Sequence, residues 1–562
     1  MTLIPRAKAN SRRSAGLLLF VGAVGLLVST AGIVRAAVTW GTSEPASFAS
    51  GVQNAAPDTI FYSVSCESAG NCAAAGMLYN AAGRYVAFTQ TSTGGVWGTA
   101  SPASFASGVQ YTQENSYFNS VSCGSAGNCT AVGQFRNAAG GYEAFTQTST
   151  GGVWGTAEPA SFASGVQHAN RYAVFNSVSC GSVGNCTAAG NFRNAAGHNE
   201  AFTQTSTGGV WGTAVPASFA SGVQNATPDA SFYSVSCESV GNCTAAGFFR
   251  NASGGNEAFT QSSTGGVWGT AVPASFATGI QNANRYAVFN SVSCESAGNC
   301  TAAGRFRNAA GGYEAFTQTS TGGVWGTAVP ASFASGVQDA IPEAIFYSVS
   351  CGSVGNCTAA GRFKNAAGGY EAFTQTSTGG VWGTAEPASF ATGIQNATPS
   401  AIFSSVSCGS AGNCTAAGRF SNAAGNSEAF TQTLTGGVWG TPEPASFASG
   451  VQDASPDAYF TSVSCGSAGN CTAAGQFWNA TGGYEAFTQT ATSPVAPTTT
   501  VAPSTTVAPT TTVAPSTTVV PMTTVAPSSL PATGSDGPVN VLIGMSLLLC
   551  GFGLRVWRRR SI

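Results

Sequence analysis

The sequence predicts an all-β fold: an eight-bladed β-propeller of four-stranded, 57-residue repeats, with an N-terminal strand closing the last blade. Three observations carry this. A unit of constant length recurs eight times, marked by Trp40, Trp97, Trp154, Trp211, Trp268, Trp325, Trp382 and Trp439, and a fixed period of this kind is the mark of a repeat architecture. Within each unit, short β-prone runs alternate with Gly/Asn/Ser turns, and no stretch has helical periodicity. The phase of the repeats is the third observation. Ala37-Val38-Thr39-Trp40 reads as a fourth strand without its first three, and the last unit ends at Phe487-Thr488-Gln489-Thr490 without its fourth. An open array leaves both edges unpaired; a ring closes if the N-terminal strand completes the final blade.

Composition bounds the function. Charged residues make up 7% of the 562 residues, against about 25% in ordinary globular domains. The net charge of −2 gives the body no attraction for nucleic acid or anionic lipid. Abundant Gly, Ala, Ser and Thr alone would read as disorder, but Trp and Phe at fixed places in every unit argue for a packed core. Near-identical copies supply no unique cluster of acid, base and nucleophile. No catalytic residue, metal or cofactor is therefore expected.

Each repeat can be read in order. In the second copy, Phe118 to Cys123, Cys129 to Asn137, Tyr142 to Thr148 and Val153-Trp154 are the β-prone segments. Sixteen of the seventeen cysteines form C-x5-C pairs, one per repeat: Cys66/Cys72, Cys123/Cys129, Cys180/Cys186, Cys237/Cys243, Cys294/Cys300, Cys351/Cys357, Cys408/Cys414 and Cys465/Cys471. Regular pairs in an exported chain read as disulfides, each across a hairpin end; Cys550 is left over. The four-residue loop Ala138-Ala139-Gly140-Gly141 is expected to set Asn137 opposite Tyr142 and Arg136 opposite Glu143. The same charge pairing is expected at Arg193/Glu200, Arg250/Glu257, Arg307/Glu314 and Lys364/Glu371. The turn from Gln90 to Trp97 resembles the Asp-box hairpin of sialidase-like propeller blades. Gly94 and Trp97 fit that pattern, while Gln90 and Ser92 stand where its Ser and Asp belong. The resemblance implies a hairpin between third and fourth strands and implies no activity.

The ends address the chain. Residues 1–36 read as a signal peptide, with Arg6, Lys8, Arg12 and Arg13, an apolar run from Ala15 to Val34, and cleavage between Ala36 and Ala37. Residues 491–529 form a Thr/Pro/Val/Ala-rich stalk without groups for a core, expected to be disordered and extended at about 3 Å per residue. Then come Leu530-Pro531-Ala532-Thr533-Gly534, an apolar transmembrane segment at 539–554 and a basic cytoplasmic tail at 555–562. This three-part tail resembles the LPxTG sorting signal of Gram-positive cell-wall-anchored surface proteins. The apolar segment holds the chain in the membrane and the arginines stay cytoplasmic. The resemblance implies that sortase cleaves between Thr533 and Gly534 and joins the Thr carboxyl to peptidoglycan. The alternative is a permanent membrane anchor.

The eight copies can be compared with one another. The cysteine turn and Ser-Thr-Gly-Gly hardly vary; the connections between blades and the loop after the second strand do. In a propeller the two variable regions share one face and the two invariant turns share the other. Variation gathered on one face of a rigid scaffold fits a binding surface, and equally fits loops free of constraint. The candidate ligand residues are Tyr111, Tyr117, His168, Arg171, Tyr172, Arg285, Tyr286 and Tyr459, for a glycan or protein ligand. The expected function of the 37–490 domain is non-enzymatic recognition or adhesion at the cell surface. The alternatives are a structural spacer without a specific ligand, or an exported glycan-active hydrolase or lyase drawing on His168, His198, Glu114 or Glu343.

Overall fold

Eight antiparallel sheets follow one another around a ring in the computed structural model, which describes residues 38–110 and 115–493. In blade 1 the first strand is Thr59–Ser68, the second Asn71–Tyr79 and the third Tyr85–Thr93, paired in that order. The fourth was expected as one strand. It is two pieces, Val96–Trp97 and Ser101–Pro102, both paired to the third. Trp97 faces Ser92 while Ser101 faces Thr89, so the outer strand carries one extra residue between them. The Gln90 amide closes this bulge by donating to the Gly98 carbonyl at 2.7 Å, and the bond recurs through to Gln489 and Gly41 in the last blade.

Closure follows the expected phase. Thr39–Trp40 pairs with Thr492 and Ala491, and Glu44–Pro45 pairs with Thr488 and Phe487. The N-terminus thus supplies the fourth strand of blade 8. The last strand, Tyr484–Thr492, runs two residues into the segment assigned to the stalk. Ala491 is buried opposite Trp40 there, because closing the blade requires a partner for that tryptophan. The signal peptide, the rest of the stalk, the sorting motif, the apolar segment and the basic tail lie outside the described residues, as do Tyr111 and Glu114.

Alternation along the strands gives each sheet two unlike faces. Ala73, Ala75 and Ala87 of blade 1 pack on Phe118, Phe135 and Phe145 of blade 2. The pattern repeats to the closing interface, where Ala474 and Ala486 meet Phe61 and Phe88. Small side chains on one face let the next sheet approach, and the phenylalanines fill the gap; in blade 2 the Phe118–Phe145 and Phe135–Phe145 centroids are 4.9 and 5.6 Å apart. A β-bulge at Tyr62, between Phe61 and Ser63, presses the first strand against the second. A Cβ on Gly76 would lie 1.9 Å from the Ile60 carbonyl oxygen, which explains why every copy has glycine there.

The first strands ring the central axis, and each presents an unpaired edge. Their outward N–H groups are capped across the blade boundary by the serines of Ser-Val-Ser-Cys. The N–H of Val121 donates to Ser63 Oγ at 3.2 Å and that of Cys123 to Ser65 Oγ at 3.1 Å. In blade 1 the Val64 and Cys66 N–H groups donate in the same way to Ser462 Oγ and Ser464 Oγ of blade 8. Beside this ladder each C-x5-C pair is in direct register, as Cys66 with Cys72, and is a disulfide in all eight blades. Each short loop so closed is worth about 2 kcal/mol by chain entropy. Eight such bonds belong to an oxidising, extracellular setting.

The disulfides close the hairpin ends as their spacing predicts, and the second cysteine of every pair is also a core residue. Cys72, Cys129, Cys186, Cys243, Cys300, Cys357, Cys414 and Cys471 are all buried, none more than 4% exposed. Their first-strand partners, such as Cys180, Cys237, Cys294, Cys408 and Cys465, are only half-buried. The cause is the neighbouring blade. The sulfur of Cys186 lies 3.4 Å from the Thr130 hydroxyl of the preceding blade, and Cys243 lies 3.3 Å from Thr187. Cys300 meets Thr244 at 3.4 Å, Cys414 meets Thr358 at 3.4 Å and Cys471 meets Thr415 at 3.3 Å. Each disulfide therefore packs into an interface between blades and adds to its apolar cluster. These cysteines are structural and present no surface for a ligand.

The opposite-charge pairing expected across the second hairpin is corrected by one residue. Asn137 closes the turn itself, its N–H donating to the Gly141 carbonyl. Tyr142 therefore faces Arg136, and Glu143 faces Phe135. The same offset holds at Arg193/Asn199, Arg250/Asn256, Arg307/Tyr313 and Lys364/Tyr370. The turn asparagine binds the glutamate instead, Asn137 Nδ2 donating to Glu143 Oε1 at 2.7 Å. Lys364 pairs with Asp339 at 3.4 Å.

Two outcomes are expected. Replacing Ser120 and Ser122 together by alanine leaves the Val178 and Cys180 N–H groups uncapped. Denaturant unfolding should then show a loss of about 1–2 kcal/mol. Deleting residues 38–45 should uncover the edge of blade 8 and produce self-association in sedimentation experiments, as an unpaired edge does.

Candidate functional site

The two faces of the ring differ as the repeats predict. On one, the connection entering each blade lies against the second hairpin loop: Gln53 bridges Asn80, and the Ala81 N–H donates to the Val52 carbonyl. On the other, the two invariant turns meet, the Gly95 N–H donating to the Gly70 carbonyl at 2.8 Å. The invariance there has a structural origin. Gly94 and Gly95 both have positive φ, 58° and 85°, as a two-residue type I′ hairpin requires. Ser92 Oγ donates to Gly70 O and accepts from the Cys72 N–H, and Asn71 Oδ1 accepts from the Gly94 N–H.

The described candidate residues lie on the variable face, and some are already engaged. Arg171 and Arg285 have φ of 36° and 41° and form ion pairs with Glu143 and Glu257 of the preceding blades at 2.6 and 2.7 Å. They brace connections between blades. His168 Nδ1 accepts from the Asn170 N–H at 3.1 Å within its own loop. Tyr172 bridges the main chain at Tyr142 and lies 5.8 Å from the Arg193 guanidinium.

The remaining side chains fall into two sectors. One spans blades 8, 1 and 2. Tyr62 is the extra residue of its bulge, and its ring is 6.4 Å from that of Tyr117. Burial pushes the Tyr117 and Tyr459 phenols up to about 12, and Tyr62 contributes to both. Tyr85 donates to Asp58 at 2.8 Å and Tyr484 to Asp457 at 2.6 Å. These bonds, more than burial, hold both phenols near 12.

The second sector was missed in the reading of the sequence. The residue following the invariant glycine of the second strand is Met77, Gln134, Asn191 and Phe248 in blades 1 to 4, Arg305, Arg362 and Arg419 in blades 5 to 7, and Gln476 in blade 8. Arg305 lies 5.1 Å from the Tyr313 ring centroid, Arg362 lies 4.7 Å from that of Tyr370, and Arg419 lies 5.7 Å from that of Tyr459. A comparison of copies position by position inside the strands would have found them; attention to loops alone did not.

Glu295, on the first strand of blade 5, is a separate feature. Its carboxylate lies near Cys351 and Cys357, but these sulfurs are bonded to each other and offer no thiolate to a metal. Burial without a cation holds this carboxyl up to about 7.

No family model matches the chain, and no curated protein matches it. Among solved structures it is similar to a protein of unknown function from Dyadobacter fermentans, with 12% identity, TM-score 0.35 and coverage of 68% of this chain and 96% of that one. It is also similar to the Hadza microbial sialidase Hz136, with 12% identity, TM-score 0.32 and coverage of 64% and 75%. For a Trypanosoma rangeli sialidase bound to the inhibitor DANA the identity is 11%, the TM-score 0.32, and the coverage 70% and 56%. No residue role or activity is carried over from them.

The Glu295 shift has a signed consequence. A carboxyl whose folded value lies above its unfolded value keeps its proton longer in the native state, so stability falls as pH rises from about 4.5 to about 7 and is level above that. Glu295→Gln should remove this slope. Unfolding measured against pH should show the variant equal to wild type near pH 4 and more stable above pH 7, by on the order of 1 kcal/mol after solvent screening of a half-exposed group.

Proposed function

We propose that this protein is a non-enzymatic recognition or adhesion module, displayed on the outside of a Gram-positive cell and anchored through Leu530–Gly534 to peptidoglycan by sortase. The observation that carries the reading is the contrast between the two faces. Copies that are otherwise nearly alike differ where the connections and second hairpins meet, and there tyrosines and arginines gather on a rigid ring. Aromatic rings with few rotatable bonds are suited to packing on sugar faces, and tyrosine and arginine dominate binding energy in many interfaces. A glycan ligand fits the tyrosine sector best, with Asp58 and Asp457 fixing two phenols in place. The carboxylates on this face serve as hydrogen-bond acceptors in structural pairs: Glu143 with Asn137 and Arg171, Asp58 with Tyr85. Such engagement favours binding over acid–base chemistry.

Two experiments test the reading. The purified protein on an array of glycans and matrix proteins should bind a defined class, and Tyr62→Ala with Tyr117→Ala should weaken that binding at least about tenfold without lowering thermal stability to the same degree as core changes. Binding of no ligand class would favour a spacer. For anchoring, Thr533→Ala should abolish the release of wall-linked protein by muramidase and send the chain to membrane or medium. Absence of wall-linked protein in wild-type cells would leave an ordinary membrane anchor.

A further inference from the structure

We propose that Arg305, Arg362 and Arg419 form an arc that binds an anionic polysaccharide, one oxyanion group seated in the cleft between Arg362 and Arg419. The inference rests on the recognition reading above and names a ligand class for the second sector. Its starting point is charge. In a chain with 7% charged residues, three arginines occupy one strand position in three consecutive blades, and the other five blades are neutral there. Among the described residues the ion pairs are made by Arg171, Arg285 and Lys364, and none involves this arc. The Glu343 carboxylate accepts from the Tyr370 hydroxyl, which raises that phenol. Arg305 donates to the Tyr286 hydroxyl at 3.1 Å, while its Nε is buried without a partner.

The geometry suits oxyanions. Stacking on a tyrosine occupies the face of a guanidinium and leaves its in-plane N–H donors for a planar or tetrahedral anion. Between blades 6 and 7 these donors border a cleft of about 190 Å³, lined by Arg362, Arg419, Tyr370 and the hydroxyl-bearing Ser400, Ser421 and Ser427. That is room for about six waters at ~30 Å³ each, hence for one sugar-sized unit and not a folded chain. The arginines recur once per blade, so a linear polymer with regular carboxylates or sulfates meets successive charges as it crosses the face. A lone small anion meets one cleft.

The full chain, purified in detergent, should be tested against oligogalacturonate, a sulfated oligosaccharide, a neutral oligosaccharide of equal length, and inorganic sulfate and phosphate. One or both anionic oligosaccharides should bind, with affinity falling as salt rises. Arg362→Gln with Arg419→Gln should weaken binding at least about tenfold, Arg305→Lys should weaken it less, and Arg250→Gln should leave it unchanged. Thermal unfolding confirms that each variant is folded. Carboxylated and sulfated sources are separated by which oligosaccharide binds. The proposal is overturned if neither binds, if the double variant binds as wild type, or if inorganic sulfate or phosphate competes mole for mole. Binding of neutral glycans alone would sink it and leave the recognition reading standing; binding of none of these or of any arrayed ligand would sink both.

Discussion

The rest of the molecule depends on capping an edge that the fold itself creates. A ring of sheets places every first strand along the axis with one side unpaired, and an unpaired backbone edge is both unsatisfied and adhesive. Serines two residues apart, on the face turned toward the next blade, satisfy the Val and Cys N–H groups of that blade. Because each blade both gives and receives, the arrangement is complete only when blade 8 caps blade 1 through Ser462 and Ser464. Closure by the N-terminal strand therefore secures the inside of the ring as well as its rim. The disulfide continues the same strand: Cys123 donates its N–H to the ladder while its sulfur bonds Cys129.

This arrangement separates what must stay constant from what is free to change. The alanine face, the phenylalanine face, the serines, the bulge glycine, the buried cysteines and the two turns each touch a neighbouring blade or strand, so a change in one copy is felt across a packed contact. Side chains at the entry of the first strand and the end of the second hairpin touch fewer such constraints. Variation there costs little folding energy and alters only what the face presents. Arg171 and Arg285 are the exceptions, because their side chains tie one blade to the glutamate of another.

Much of the fold was legible because repetition averages out local ambiguity. Eight copies of one pattern fixed the period, the strand count and the closing phase, and the cysteines paired as their spacing predicts. Their burial was not legible, because the threonine that covers Cys186 or Cys243 comes from the blade before. The Arg/Glu register was misread by one residue, because whether Asn137 belongs to the strand or to the turn depends on its hydrogen bonds to Gly141, which spacing alone does not reveal. The broken outer strand escaped for a similar reason: the bulge at Gly98 is held by a buried amide, Gln90, from another strand. The serines of the ladder recur in every copy, but their role needs a neighbour in space. Of the variable face, the loops were legible and the run of arginines at Arg305, Arg362 and Arg419 was not, since it lies inside a strand whose surrounding residues hardly vary.

Hydrogen exchange at the axis tests the central claim most directly. The Val64, Val121, Val178 and Val235 amides belong to strand edges with no backbone partner on that side, yet each has a serine acceptor at 3.1–3.2 Å. In a closed, serine-capped ring they should exchange as slowly as amides in the interior second strand, and the amides of blade 1 should match those of blade 4. Fast exchange at these positions, or protection that fades toward blades 1 and 8, would contradict the closed ladder and point to an open array.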